Sequence, residues 1–186
     1  KEPNDGTFIS WHQDSTYWGL SRPDVLTVWI ALSPSRRNNG AMKMVSGSHK
    51  MEQMPHTDTF EAGNLLTRGQ KIDQQVADED VVWIELEPGE VSLHHVRIIH
   101  GSEPNTGSDR RIGLAIRFIP TDLCQVNGVK DYATLVHGRD EYNHFQHEPC
   151  PKVSLGESEI ETHTRIAEES FKLFYQGTGR EPKFGG

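Results

Sequence analysis

The stretch Arg110-Arg111-Ile112-Gly113-Leu114-Ala115-Ile116-Arg117-Phe118 alternates large apolar residues with positions that are cationic or very small. A period of two belongs to a β-strand, in which successive side chains point to opposite faces. One face therefore carries Ile112, Leu114, Ile116 and Phe118, and the other carries Arg111, Gly113, Ala115 and Arg117. Reading outward, similar short runs cover Thr7–Trp11, Leu26–Leu32, Ala41–Val45, Val81–Leu86 and Glu90–Val96, punctuated by Gly, Pro and Asn. Short strands with no helical periodicity between them argue for a sandwich, barrel or jelly roll. In Glu87-Pro88-Gly89-Glu90 the proline presets one turn position and the glycine supplies positive φ, so the flanking runs are expected to meet as antiparallel neighbours. Residues 51–79 are polar and weakly patterned, long enough for a functional loop or lid.

One helix is expected, from about Ser158 to Gln176. Ser158 and Glu161 have capping-box spacing, Ile160, Ala167, Phe171 and Phe174 recur at helical intervals, and Gly177 stands where a left-handed residue ends a helix. Its apolar stripe is expected to pack on the sheet.

With 186 residues and 8% aromatics, the chain can bury a real core, and a single domain over 1–186 is the expectation. No apolar run approaches the roughly 18–20 residues that span a bilayer, and residues 1–6 carry no apolar signal core. A net charge of −8, with basic residues scattered, disfavours a nucleic-acid partner. Cys124 and Cys150 are too few for a disulfide framework, which fits free thiols in a reducing cytoplasm. The chain opens without Met in a polar turn, so it is expected to be an N-terminally truncated fragment.

The chemistry lies among ten histidines. Two His-x-Asp triplets occur. His56-Thr57-Asp58 sits in the polar stretch and reads as a solvated turn, irrelevant to metal binding. His12-Gln13-Asp14 closes a strand-like run, where positions i and i+2 share a face and can offer a nitrogen and a carboxylate oxygen to one ion. A third ligand is available in Leu93-His94-His95-Val96-Arg97-Ile98-Ile99-His100-Gly101-Ser102. Two His and one carboxylate on one face of a metal leave open positions, as in non-haem Fe(II) oxygenases; zinc is the other candidate. On the strand quoted first, an arginine beside two very small residues has room in front of it for a ligand, and its planar fork suits a carboxylate.

Together these pieces resemble the phytanoyl-CoA dioxygenase family of Fe(II)- and 2-oxoglutarate-dependent oxygenases. The resemblance rests on Trp11-His12-Gln13-Asp14, Leu26-Thr27-Val28-Trp29-Ile30-Ala31-Leu32, Asn39-Gly40-Ala41-Met42, Ser46-Gly47-Ser48-His49-Lys50, Pro88-Gly89-Glu90, and His95 through His100-Gly101-Ser102-Glu103-Pro104-Asn105 to Arg111. They run in family order over about 8–120.

The resemblance implies a mainly β, double-stranded β-helix (jelly roll, cupin-like) with a C-terminal helix, lacking its N-terminal part. It implies iron held by His12, Asp14 and His100, with 2-oxoglutarate as co-substrate. Arg111 would pair with the far carboxylate of 2-oxoglutarate, and Ser102 and Trp29 would lie beside it. His95 matches a histidine common in the family and would orient the ligands from behind, while His94, on the opposite strand face, would be structural or on the surface. The implied reaction uses O₂ to hydroxylate a small organic substrate, releasing succinate and CO₂. Halogenases of the broad family replace the carboxylate ligand with a small residue; Asp14 favours hydroxylation. The alternatives from other classes are a non-enzymatic metal-binding jelly roll and a zinc-dependent hydrolase using the same ligands. Tyr17, Trp18 and the 51–79 segment are the expected substrate-side elements, with aromatic packing a rival role for Tyr17 and Trp18. The family also carries far more chain before its first histidine ligand than the eleven residues here.

Overall fold

The computed structural model describes residues 1–180. Its elements are β1 (Ile9–His12), β2 (Leu26–Ala31), β3 (Met42–Val45), β4 (His56–Asp58), β5 (Gln70–Ile72), β6 (Val81–Ile84), β7 (Val91–His95), β8 (His100–Ser102), β9 (Gly113–Phe118), β10 (Tyr132–Ala133), β11 (Gln146–His147) and α1 (Glu157–Phe174). The described chain divides into two compact units, residues 1–16 with 23–119, and residues 17–22 with 120–180.

The first unit holds two principal antiparallel sheets, ordered β1-β8-β3-β6 and β7-β2-β9. Along the chain, successive strands pass back and forth between them, which is the winding of a jelly roll. Their inner faces meet in a core of Trp29, Ala31, Met42, Met44 and Ile98, with Ile84, Leu86 and Ala115 packed against it. Alternation on β3 explains why both methionines point inward while Lys43 and Val45 do not.

The turn at Glu87–Glu90 forms, with Gly89 at φ 89°, but it does not join paired strands. β6 pairs with β3 and β7 pairs with β2, so the turn carries the chain from one sheet to the other. Gly89 N–H donates to Ala31 O (2.8 Å), which anchors the crossover on the end of β2. Turn chemistry reports a reversal of direction, and here the returning strand finds a different partner.

Residues 51–79 are not an open loop. β4 and β5 pair there, and Ser10 Oγ donates to Gln70 O (2.6 Å), tying this segment to β1. The outer face of β7-β2-β9 is apolar and exposed: Leu93 is 63% exposed, and Leu26, Val91, Leu114, Ile116 and Phe118 are also open. The apolar face read from the alternation thus lies outside, and the core is built from the opposite face.

The second unit contains the parallel β10–β11 pair and α1. The helix begins after Gly156, one residue before Ser158, so Ser158 falls inside the first turn and its hydroxyl bonds Glu159; the expected capping box is not formed. Gly177 is left-handed, φ 78°, two residues beyond the C-cap Tyr175. Of the apolar stripe, Ala167, Phe171 and Phe174 are half-buried and Ile160 is exposed; no residue of α1 is fully buried. Arg165 donates to the Tyr132 hydroxyl (2.6 Å) and Ser170 to Asp131 (2.9 Å), which ties the helix to the β10 region.

Candidate metal and co-substrate site

β1 sets the first ligand through an irregularity. Ile9 faces Ser102 and His12 faces His100, so three steps on β1 match two on β8. The extra residue is a bulge, and it turns both Ile9 and His12 toward the interior although they lie three apart. Gly101 opposite makes room: a Cβ there would stand 2.8 Å from Ile9 O. Asp14 lies beyond the strand, at the start of a 3₁₀ turn, and its N–H donates to Val96 O (3.2 Å). It reaches His12 by that turn rather than by strand alternation.

The three side chains converge. His12 Nε2 is 3.3 Å and His100 Nε2 3.8 Å from Asp14 Oδ1, and the two imidazole centroids are 4.2 Å apart. His12 Nδ1 lies 2.9 Å from Ser10 O and His100 Nδ1 3.0 Å from Ile98 O, contacts that require the proton on Nδ1. Both Nε2 atoms are thereby left as donors toward a cation. Burial, with His12 alongside, pushes His100 down to about 3, against the pull of Asp14. Burial pushes the Asp14 carboxyl up, but His100, the His12 contact and Arg117 outweigh it and hold it well below the usual range. Neutral imidazoles and an ionised carboxylate are the forms a metal binds. His12, Asp14 and His100 are the group that could hold a metal ion among the described residues.

Gln13 and His56 support this geometry, and sequence reasoning missed both. Gln13 is fully buried and points away from the ligands on either side; its amide donates to Arg97 O (2.9 Å) and accepts from Met54 N–H (2.8 Å). Its own N–H donates to His56 Nε2 (2.9 Å), while His56 Nδ1 meets Met54 O (2.8 Å). His56 is therefore not a solvated turn residue. The available signal was a polar residue between two ligands, which must face away from them and needs partners of its own.

The same cavity, about 160 Å³, is lined by His12, Asp14, His100, Ser102, Trp29 and Arg111. Arg111 is 9% exposed, lies 5.3 Å from the Trp29 ring, and its Nε has no hydrogen-bond partner. No carboxylate pairs with it among the described residues. The buried Ser102 hydroxyl is likewise without a partner. A buried cation without a counterion costs on the order of several kcal/mol, so this end of the cavity favours an anion. The room beside Arg111 is not vacant as the sequence suggested: a Cβ on Gly113 would lie 2.0 Å from Trp29 Cζ2, because the indole occupies that space.

Residues 1–113 match the sequence profile of the family described as Phytanoyl-CoA dioxygenase (PhyH). The chain belongs to the phytanoyl-CoA dioxygenase family. This is a family of Fe- and 2-oxoglutarate-dependent oxygenases. The chain is 32% identical over 144 residues to a probable alpha-ketoglutarate-dependent hypophosphite dioxygenase of Stutzerimonas stutzeri, covering 74% of this chain and 50% of that protein. It is 36% identical over 100 residues to 1-deoxypentalenic acid 11-beta-hydroxylase of Streptomyces arenae, covering 53% and 35%. Among solved structures, the non-heme monooxygenase ThoJ superposes with a TM-score of 0.81 at 27% identity, covering 95% of this chain and 64% of that one. The chain thus spans half or less of the length of these curated relatives.

Of the two adjacent histidines, it is His94 and not His95 that faces the cavity. His94 is buried, lines the cavity and lies 5.4 Å from the His100 ring. His95 points to the other side, 6.3 Å from His49, and accepts from Arg97 N–H (3.1 Å). The residues between His95 and His100 turn from one sheet to the other, with Ile98 N–H donating to His95 O (2.9 Å). Counting faces back from His100 fails across that turn. Trp18 lies in the second unit, and the Tyr17 side chain lies outside the described residues. No described helix is long and apolar enough to cross a membrane.

Proposed function

We propose that this protein is an Fe(II)- and 2-oxoglutarate-dependent oxygenase that hydroxylates a small organic substrate, with His12, Asp14 and His100 as the iron ligands and Arg111 as the anchor for the co-substrate. The observation that carries the reading is one cavity holding both a two-histidine, one-carboxylate donor set and a buried arginine with no counterion among the described residues. Iron and 2-oxoglutarate, when bound, supply an O₂-dependent oxidation in which the co-substrate leaves as succinate and CO₂.

The chain's own part is binding and placement. Ser10 O and Ile98 O hold the two imidazoles in the tautomer that presents Nε2. Arg111 and Ser102 Oγ would hold the far carboxylate of the co-substrate, and Trp29 would wall that end against water. Asp14 keeps a carboxylate at the metal, which favours hydroxylation over halogenation. A zinc hydrolase or a purely metal-binding jelly roll has no use for the Arg111 end of the cavity.

Anaerobic titration of 2-oxoglutarate into the Fe(II)-loaded protein tests the reading, followed by a substrate screen that measures succinate. Tight, metal-dependent 2-oxoglutarate binding and substrate-stimulated succinate formation are expected. Metal binding without any 2-oxoglutarate affinity would sink it.

A further inference from the structure

The inner face of the β7-β2-β9 sheet carries one polar row that the chemistry above does not use. Thr27 is the register partner of His94 on one side and of Arg117 on the other, so the three side chains stand abreast across the sheet. All three line the cavity that holds His12, Asp14 and His100. Neighbouring rows along β2 differ in character: Trp29 faces Ser92 and Ala115, and Ala31 faces Gly113.

We infer that the row His94, Thr27 and Arg117 is a substrate subsite for an oxyanion, so that the molecule oxidised carries a carboxylate, phosphonate or phosphinate group held beside the metal. This deepens the oxygenase reading above and rests on it. Thr27 is 2% exposed, and its hydroxyl has no hydrogen-bond partner among the described residues. An unpaired buried hydroxyl is destabilising by about 1–3 kcal/mol, so its presence inside a cavity points to a ligand that satisfies it. His94 Nδ1 lies 3.3 Å from Ser92 Oγ, which leaves Nε2 toward the cavity. Arg117 supplies the positive charge, from the position on β9 that faces Thr27 across the sheet and lines the same cavity. A hydroxyl flanked by a guanidinium and an imidazole is a donor set for an anion and repels a cationic group.

Arg111 cannot serve as this cation. It precedes β9, six residues before Arg117, and its guanidinium sits against Trp29, 5.3 Å from that ring, rather than in the Thr27 row. The two guanidiniums therefore mark two anionic positions, one for the co-substrate and one for the substrate.

The test is calorimetric binding with Ni(II)-loaded protein, which does not turn over. 2-Oxoglutarate is titrated first, as a separate arm that reports on the oxygenase reading alone. Hypophosphite, methylphosphonate and acetate are then titrated, each with and without 2-oxoglutarate, so that the anion arm reports even where the co-substrate fails to bind. At least one anion is expected to bind at one per chain. Arg117→Ala, at an exposed position, should weaken that affinity at least tenfold, and the near-isosteric Thr27→Val severalfold, with 2-oxoglutarate affinity within twofold of wild type in both. The inference is overturned if none of the three anions binds, if Arg117→Ala binds them as wild type does, or if Arg117→Ala loses 2-oxoglutarate instead.

Discussion

Gly113→Ala is a one-carbon change whose consequence can be worked from the contacts. The added Cβ would meet Trp29 Cζ2 at 2.0 Å, Cε2 at 2.4 Å and Cη2 at 2.9 Å, far inside van der Waals distance. The indole cannot swing aside freely, because it is buried and packs in the core with Met42 and Met44. Overpacking of this kind costs typically about 1–3 kcal/mol. For a chain of this size, that is a loss of roughly 2–4 °C in Tm per kcal/mol. Trp29 also lies 5.3 Å from the Arg111 guanidinium, so its displacement should weaken 2-oxoglutarate binding about tenfold or more, about 1.4 kcal/mol, while metal affinity stays within a few-fold. Thermal unfolding and calorimetric 2-oxoglutarate binding to the metal-loaded protein read the two effects separately. The double variant Gly113→Ala/Trp29→Phe, with a smaller ring, should recover part of the lost stability, a coupling that two independent sites do not show. Wild-type Tm and wild-type 2-oxoglutarate affinity in Gly113→Ala would refute the argument that the indole rests on this glycine.

Other outcomes follow from the same geometry. Arg111→Lys keeps the charge and loses the fork, so 2-oxoglutarate affinity should fall at least tenfold in calorimetry with metal stoichiometry unchanged. His56→Ala removes the acceptor of the buried Gln13 N–H and should lower stability in denaturant titration by about 1–3 kcal/mol. The metal-free protein should lose stability as pH falls: His100 is held down to about 3 in the fold, against an ordinary value of 6.5, so the unfolded chain takes up the proton first once pH drops below that ordinary value. Thermal scans across that range should show the slope, and His100→Asn should flatten it. The exposed apolar face of β7-β2-β9 should make the 186-residue chain associate with rising concentration in sedimentation, and Leu93→Lys should reduce it.

What the sequence made legible is what period and spacing encode. Alternation marked β2, β3, β7 and β9 to within a residue or two; the His-x-Asp spacing singled out His12 and Asp14, and the family resemblance added His100, the third residue that converges in the cavity. Arg111 was legible because a cation among small residues on one strand face is unusual, though the reason for Gly113 was not: it accommodates Trp29 from a neighbouring strand, a contact that no local pattern carries. Partner choice was equally hidden. The turn after β6 reads the same whether the next strand pairs with it or crosses to the facing sheet. The roles of His94 and His95 depend on a turn between sheets that breaks face counting, and the role of His56 depends on a hydrogen bond across 43 positions. The bulge in β1, which aims His12 inward, is visible only in the register with β8.

The central claim is that His12, Asp14 and His100 form one metal site in a cavity that also holds Arg111. Anaerobic measurement of Fe(II) stoichiometry and affinity in wild type, His100→Ala and His56→Ala tests it most directly. One Fe(II) per chain is expected in wild type, retained in His56→Ala with at most a modest loss of affinity, and lost in His100→Ala. Full iron affinity in His100→Ala, or its loss in His56→Ala alone, would contradict it.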